Sequence, residues 1–264
     1  MHVTGRTVLL TGATGGIGQA IARALRDAGA DLVVTGRRTD SLEPLVGELG
    51  ARTIAADLAD PAALESLVEQ AGPVDVLVAN AALPASGGLC AFSIEEIDRA
   101  LTVNLRAPIV LARLLVPAMA QRGGGHIVLI SSLAGKTASG GGAPLYSATK
   151  FGLRGFGTAL RTDLHGTGVG VSVVFPGFVR DAGMFHDSGA QLPSLVGTSS
   201  PGDVAAAVLD AIVRNRGEVD VAPLSMRVGV KLAELAPGLA SSAARRFGGP
   251  RLASQLASGQ ADKR

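Results

Sequence analysis

The chain has 264 residues, of which 47% are hydrophobic and 17% charged, with a mean hydropathy of +0.36. This composition can bury a large core and excludes global disorder, and the length fits one α/β domain. A formal net charge of +2, dispersed without a basic block, gives no ground for nucleic-acid binding.

The N-terminus, Met1 to Arg6, lacks a charged-then-apolar leader pattern and runs into a strand, "RTVLLTG" (6–12). The segment 16–30 carries apolar residues at helical spacing, with Gly29 able to end the helix. Next come a strand at 31–36, a helix at 39–49, a strand at 52–57 and a helix at 61–71 opened by Asp60-Pro61. "VDVLVAN" (74–80) is a fourth strand. Cys90 is the only cysteine, which excludes an internal disulfide or a cysteine metal centre and fits a reducing cytoplasm.

A long helix covers 93–121, with "SIEE" (93–96) resembling a capping box. Its apolar run near 107–120 is interrupted by Arg113, short of the ~18 residues a membrane span needs. "GHIVLISS" (125–132) is the fifth strand, 144–166 a helix, 170–177 the sixth strand, 201–214 a helix and 218–223 a short strand. Glycines at 123–125 and 140–142 read as loops. Strands that are apolar nearly throughout, alternating with helices, indicate a parallel sheet covered on both faces, hence a doubly wound Rossmann arrangement. Residues 1–223 form this domain; 224–249 is an amphipathic extension, and 250–264 is a polar tail expected to be mobile.

"TGATGGIG" (11–18) joins the first strand to the first helix. Gly12, Gly16 and Gly18 permit a tight turn and close approach of a ligand, and the helix N-terminus favours a pyrophosphate. The spacing G-x-x-x-G-x-G, without a following G-K-S/T, argues against a nucleoside-triphosphate loop. The only tyrosine, Tyr146, has Lys150 four residues later, on one helix face. A phenol ionises near pH 10, too high for ready proton transfer at neutrality, and an adjacent ammonium lowers that value.

The ordered set TGATGGIG, Asn80-Ala81-Ala82, Asn104, Ser132, Tyr146-Ser147-Ala148-Thr149-Lys150 and Pro176-Gly177 resembles the short-chain dehydrogenase/reductase family over about 5–223. The resemblance implies an NAD(P)-dependent oxidoreductase on a doubly wound fold with a seven-stranded parallel sheet, assembled as a homodimer or homotetramer in the cytoplasm. It also implies roles. Tyr146 would exchange a proton with the substrate oxygen, Ser132 would hydrogen-bond that oxygen, Lys150 would hold the nicotinamide ribose, and Asn104 would support a water-linked proton relay. Gly12, Thr14, Gly16, Ile17, Gly18, Asp57, Leu58, Asn80, Pro176, Gly177 and Val179 match cofactor-contacting positions. The Ser132–Tyr146 gap is 14 residues, one more than is usual in the family, so Ser131 is the alternative serine.

At the end of the second strand stands Thr35-Gly36-Arg37-Arg38, with no carboxylate for a ribose 2′-hydroxyl. Arginine pairs with a 2′-phosphate, so NADP(H) is the expected cofactor, with Arg37 its contact and NAD(H) the alternative. Asp181 occupies a position where the family often has Thr; a carboxylate there would repel a pyrophosphate and is expected to point away.

Met184, Phe185, Leu192, Leu195 and Val196 suggest an apolar lid, hence an apolar carbonyl or alcohol substrate. His186 reads as a rim residue, since no second ligand-type side chain joins it, and no metal is expected. Leu224, Val228, Leu232, Leu235 and Leu239 make one stripe beside Arg227 and Lys231, with Pro237 set to bend or stop the helix. The stripe can cover the pocket, pack on a subunit or lie on a membrane surface through 224–247.

Overall fold

The computed structural model of the chain describes residues 1–37, 40–138, 143–192, 196–246 and 249–260. Arg38, the glycines at 140–142, Leu195, and positions 247–248 and 261–264 lie outside the described residues.

The described chain alternates strands and helices: β1 (Thr7–Thr11), α1 (Gly16–Asp27), β2 (Asp31–Gly36), α2 (Glu43–Leu49), β3 (Arg52–Ala55), α3 (Pro61–Ala71) and β4 (Val76–Ala79). There follow α4 (Ile94–Leu101), a π-helical turn (Thr102–Arg106), α5 (Ala107–Gln121), β5 (Gly125–Ile130), α6 (Pro144–Asp163) and β6 (Val169–Pro176). Beyond these lie α7 (Gly183–Asp187), α8 (Pro201–Arg214), β7 (Glu218–Val221), α9 (Leu224–Leu235), α10 (Pro237–Arg246) and α11 (Gly249–Ser258). The seven strands form one parallel sheet in the order β3-β2-β1-β4-β5-β6-β7. The order reverses direction between β1 and β4, and the carboxyl ends of those strands open the crevice where doubly wound sheets bind ligands.

The near-continuous apolar strands follow from burial on both faces. Val8 and Leu10 face one core with α1, α2 and α8, while Leu9 between them faces the other with α3 and α5. Ile94–Gln121 is long and apolar enough to cross a membrane by composition alone, yet Leu111, Leu115 and Met119 on it pack against the sheet.

Caps behave as their chemistry dictates. Asp60 accepts from the Ala62 amide, and Ser93 with Glu96 closes a reciprocal capping box. The long helix expected over 93–121 is interrupted by its π-turn. Pro108 has no N–H to return to the Asn104 carbonyl one turn back, so the regular ladder cannot close there. Pro237 ends α9 and begins α10, so the extension is two helices. Within the tail, Gly249–Ser258 forms α11, and Gln255 and Gln260 bond Gln191 and Met184.

One buried histidine makes the fold acid-sensitive. His126 on β5 is 2% exposed and shares a 2.8 Å hydrogen bond with Ser172 on β6. Burial, aided by the Arg161 guanidinium, pushes its pKa down to about 3. The neutral form is the native one. Stability from this site is therefore present above about pH 6.5 and is lost as pH falls towards 3, by several kcal/mol in total. In urea denaturation at stepped pH, replacing His126 by asparagine should flatten the stability slope between about pH 6.5 and 4.

Candidate active site

Fifteen of the sixteen positions singled out above, Gly12, Thr14, Gly16, Ile17, Gly18, Arg37, Asp57, Leu58, Asn80, Ser132, Tyr146, Lys150, Pro176, Gly177 and Val179, line one cavity of about 830 Å³. It lies over the carboxyl ends of the strands. Asn104 is the exception. It is 1% exposed and its amide bonds both backbone groups of Leu83, accepting from the amide at 2.6 Å and donating to the carbonyl at 2.9 Å. Its side chain therefore holds the loop after β4 against the π-turn.

The glycine turn forms because three positions admit no side chain. Gly12 has φ +66°, and a β-carbon on it would lie 2.7 Å from Ala81 Cα. A β-carbon on Gly16 would collide with Ala182, and one on Gly18 with the Gly12 carbonyl oxygen. The residue before α1, Gly15, provides no side-chain cap, so the first amides of α1 remain available to an anion. Asn80 braces the turn, donating from its amide to the carbonyls of Thr11 and Gly12 at 3.1 and 3.0 Å. This set fits a dinucleotide, with its pyrophosphate at the uncapped helix end.

At the opposite end of the cavity from Tyr146, Asp57 accepts from the Ala59 amide at 3.0 Å and pairs with Arg99 on α4 at 3.2 Å. The Ala59 bond, together with the Arg99 and Arg37 guanidinium groups, holds its carboxyl below the usual range. Arg99 lines the cavity and was not singled out in the sequence. No local pattern marks it, because Asp57 lies 42 residues away in the sequence.

Tyr146 and Lys150 sit one turn apart at the start of α6, as their spacing requires. Ser132 hydrogen-bonds the phenol, and its hydroxyl also lies 3.4 Å from the Pro176 carbonyl. Ser131 also lines the cavity, but its hydroxyl donates to the Lys150 carbonyl at 2.9 Å, whereas that of Ser132 is turned to the phenol. Lys150 is 3% exposed, donates to the Ile130 carbonyl at 2.9 Å and lies 5.6 Å from the Tyr146 ring centre. Burial lowers its pKa to about 8, leaving it largely cationic at neutrality. The expectation that Lys150 depresses the tyrosine needs correction. Burial raises the phenol pKa, opposed only by the Ser132 bond. Tyr146 thus keeps its proton at neutral pH and can give it to an oxygen placed beside Ser132.

Of the expected lid, Met184 and Phe185 on α7 line the cavity, whereas Leu192 and Val196 do not. Met226 and Val230 of α9, with Leu256 and Gln260 of the C-terminal segment, also line it. His186 is exposed at the rim beside Asp187, and no metal-type cluster occurs among the described residues. Asp181 points away from the cavity, its side chain 71% exposed and paired with Arg180. It also holds φ +66°. Asp181→Val should cost about 1–2 kcal/mol in urea denaturation, because a β-branched residue is strained there, while Asp181→Gly should be tolerated with NADPH affinity unchanged.

A family model for the short chain dehydrogenases matches residues 6–193. Among curated proteins, the ketoacyl reductase HetN of Nostoc sp. is 42% identical over 83% of this chain and 79% of its own. The NADP-dependent 3-hydroxy acid dehydrogenase YdfG of Salmonella typhimurium is 40% identical over 65% of this chain and 72% of its own. Among solved structures, a metagenomic blue fluorescent protein in complex with NADPH superposes with a TM-score of 0.75 at 33% identity, covering 84% of this chain and 98% of that one. With a sheet, a glycine turn and a matched span in agreement, the chain belongs to the short chain dehydrogenase family.

Proposed function

We propose that the protein is an NADP(H)-dependent oxidoreductase interconverting a carbonyl and an alcohol on an apolar small molecule, with Tyr146 as general acid and base. The observation that carries this reading is the meeting of Ser132, Tyr146 and Lys150 in the same cavity as an uncapped, glycine-lined helix end. The bound reduced nicotinamide supplies a hydride to the carbonyl carbon. Tyr146 gives its proton to the carbonyl oxygen, and Ser132 donates a hydrogen bond to the charge developing there. The Lys150 ammonium stabilises the phenolate left behind. In the oxidative direction the same groups run in reverse. The exposed guanidinium of Arg37, at the end of β2, favours a 2′-phosphate.

NADPH consumption with a panel of 3-oxoacyl compounds, 3-hydroxy acids with NADP+, and plain ketones and aldehydes tests the reading. The first two classes lead the panel because of the activities named for HetN and YdfG. No turnover with any member, despite NADPH binding, would favour a nucleotide-binding regulator instead.

A peripheral membrane position is a second reading, favoured by the stripe on α9 and α10. Leu224, Leu232, Leu235 and Leu239 are 73%, 61%, 84% and 76% exposed, with Arg227 and Lys231 exposed alongside. Flotation with anionic liposomes should depend on 224–247; equal flotation without that segment would end this reading. A cytoplasmic homo-oligomer belongs to the same proposal, and light scattering of the purified chain measures its mass.

A further inference from the structure

The C-terminal segment folds back over the site, and Gln260 on it lines the cavity. Gln260 is 2% exposed, and its amide nitrogen donates to the Met184 carbonyl at 3.0 Å. Two further contacts fix the segment. The Gln191 amide donates to the Gln255 side chain at 3.2 Å, and Gly259 lies so close to Ser188 that a β-carbon there would collide with its backbone. Residues 255–260 therefore rest on 184–191, whose own start, Ala182-Gly183, touches Gly16 and Ile17 of the glycine turn. A chain from the C-terminus through the lid to the pyrophosphate end is continuous.

The Met184 carbonyl needs a donor, and this fixes the nitrogen of Gln260 towards it. The amide oxygen, Oε1, then has no hydrogen-bond partner among the described residues, although Gln260 lines the cavity. Met184, Phe185, Met226, Val230 and Leu256, which line the same cavity, carry no side-chain donor. A buried carbonyl oxygen without a partner carries a desolvation cost of about 1–3 kcal/mol, which a bound donor would remove.

We infer that Gln260 Oε1 is a ligand-binding acceptor that takes an N–H or O–H donor of the molecule bound in this cavity, with 255–260 as the wall that presents it. This rests on the proposed oxidoreductase site and deepens it. The donor belongs either to the cofactor, in its carboxamide or ribose hydroxyls, or to a substrate bearing an amide or hydroxyl group.

Gln260→Met keeps the side-chain length and removes the acceptor together with the donor to Met184; Gly259→Val displaces the segment without touching the Gln260 side chain and so controls for a lost tether. Dissociation constants are read for NADPH and, on the NADPH-loaded protein, for each panel compound and its counterpart with the donor methylated. With the cofactor as source, Gln260→Met weakens NADPH about tenfold. With the substrate as source, it weakens donor-bearing compounds about tenfold and leaves their methylated counterparts as in the wild type. Either pattern supports the inference. It is overturned if both constants are unchanged, or if Gln260→Met merely copies Gly259→Val, with a lowered melting temperature and every ligand weakened alike. A shifted NADPH constant in a protein that turns over no carbonyl would sink the oxidoreductase reading and leave this one standing.

Discussion

Phenylalanine at position 146 is expected to reduce turnover by about 10²–10⁴-fold while leaving NADPH affinity almost unchanged. The substitution removes one oxygen from a cavity wall and no packing surface. Tyr146 is partly exposed to the cavity, and its ring packs with Leu145, Phe92 and Ala85, contacts that phenylalanine retains. Melting temperature should therefore stay close to the wild type, and the loss should fall on kcat. Burial keeps the phenol protonated, so the reductive direction should stay active through neutral pH. Its decline at high pH should follow the loss of the Lys150 charge above about 8 in the free enzyme. Steady-state kinetics of the wild type and Tyr146→Phe across pH, with NADPH fluorescence titration, checks these points; full activity in Tyr146→Phe removes the tyrosine from the chemistry.

Arg37→Glu should carry the second large effect, weakening NADPH by about 10–100-fold and leaving NADH equal or tighter. A carboxylate placed after β2 repels a 2′-phosphate and can accept from a ribose hydroxyl. Arg37 is exposed, so the fold should not respond. The change also removes a cation that helps hold Asp57 ionised, although Arg99 and the Ala59 amide remain on that carboxylate. Paired titrations with NADPH and NADH measure the preference. An unchanged ratio would assign the 2′-phosphate to other groups.

Much of this architecture is readable in the sequence, for local reasons. A strand buried on both faces must be apolar throughout, and β1, β2, β5 and β6 were located within a residue or two on that basis. Caps are equally local: Asp60 and Ser93 lie within four residues of the amides they satisfy. The glycine turn and the Tyr146–Lys150 pair are written in contiguous motifs, and the structure sets both beside one cavity.

What escaped the sequence depends on distant pairing. Arg99 and Asp57 are 42 residues apart, and nothing at either position announces the other. Gln260 reaches Met184 across 76 residues, and a polar tail gives no sign that it will cover a site. Asn104 could be recognised as a motif residue, yet its use, bonding Leu83 beside a π-turn imposed by Pro108, appears only in three dimensions. The direction of the Tyr146 shift is hidden in the sequence for the same reason. Spacing reveals a nearby ammonium, but not the burial that outweighs it.

The central claim is hydride transfer at a site where Tyr146 handles the proton. Its most direct test uses NADPH deuterated at nicotinamide C4 on one face or the other, with the panel compound that turns over fastest. The account predicts that one of the two forms delivers deuterium to the carbinol carbon of the product, and that Tyr146→Phe binds the same NADPH yet forms product at least about 10²-fold more slowly. Product without deuterium from either form, or labelled product formed at the wild-type rate by Tyr146→Phe, would contradict it.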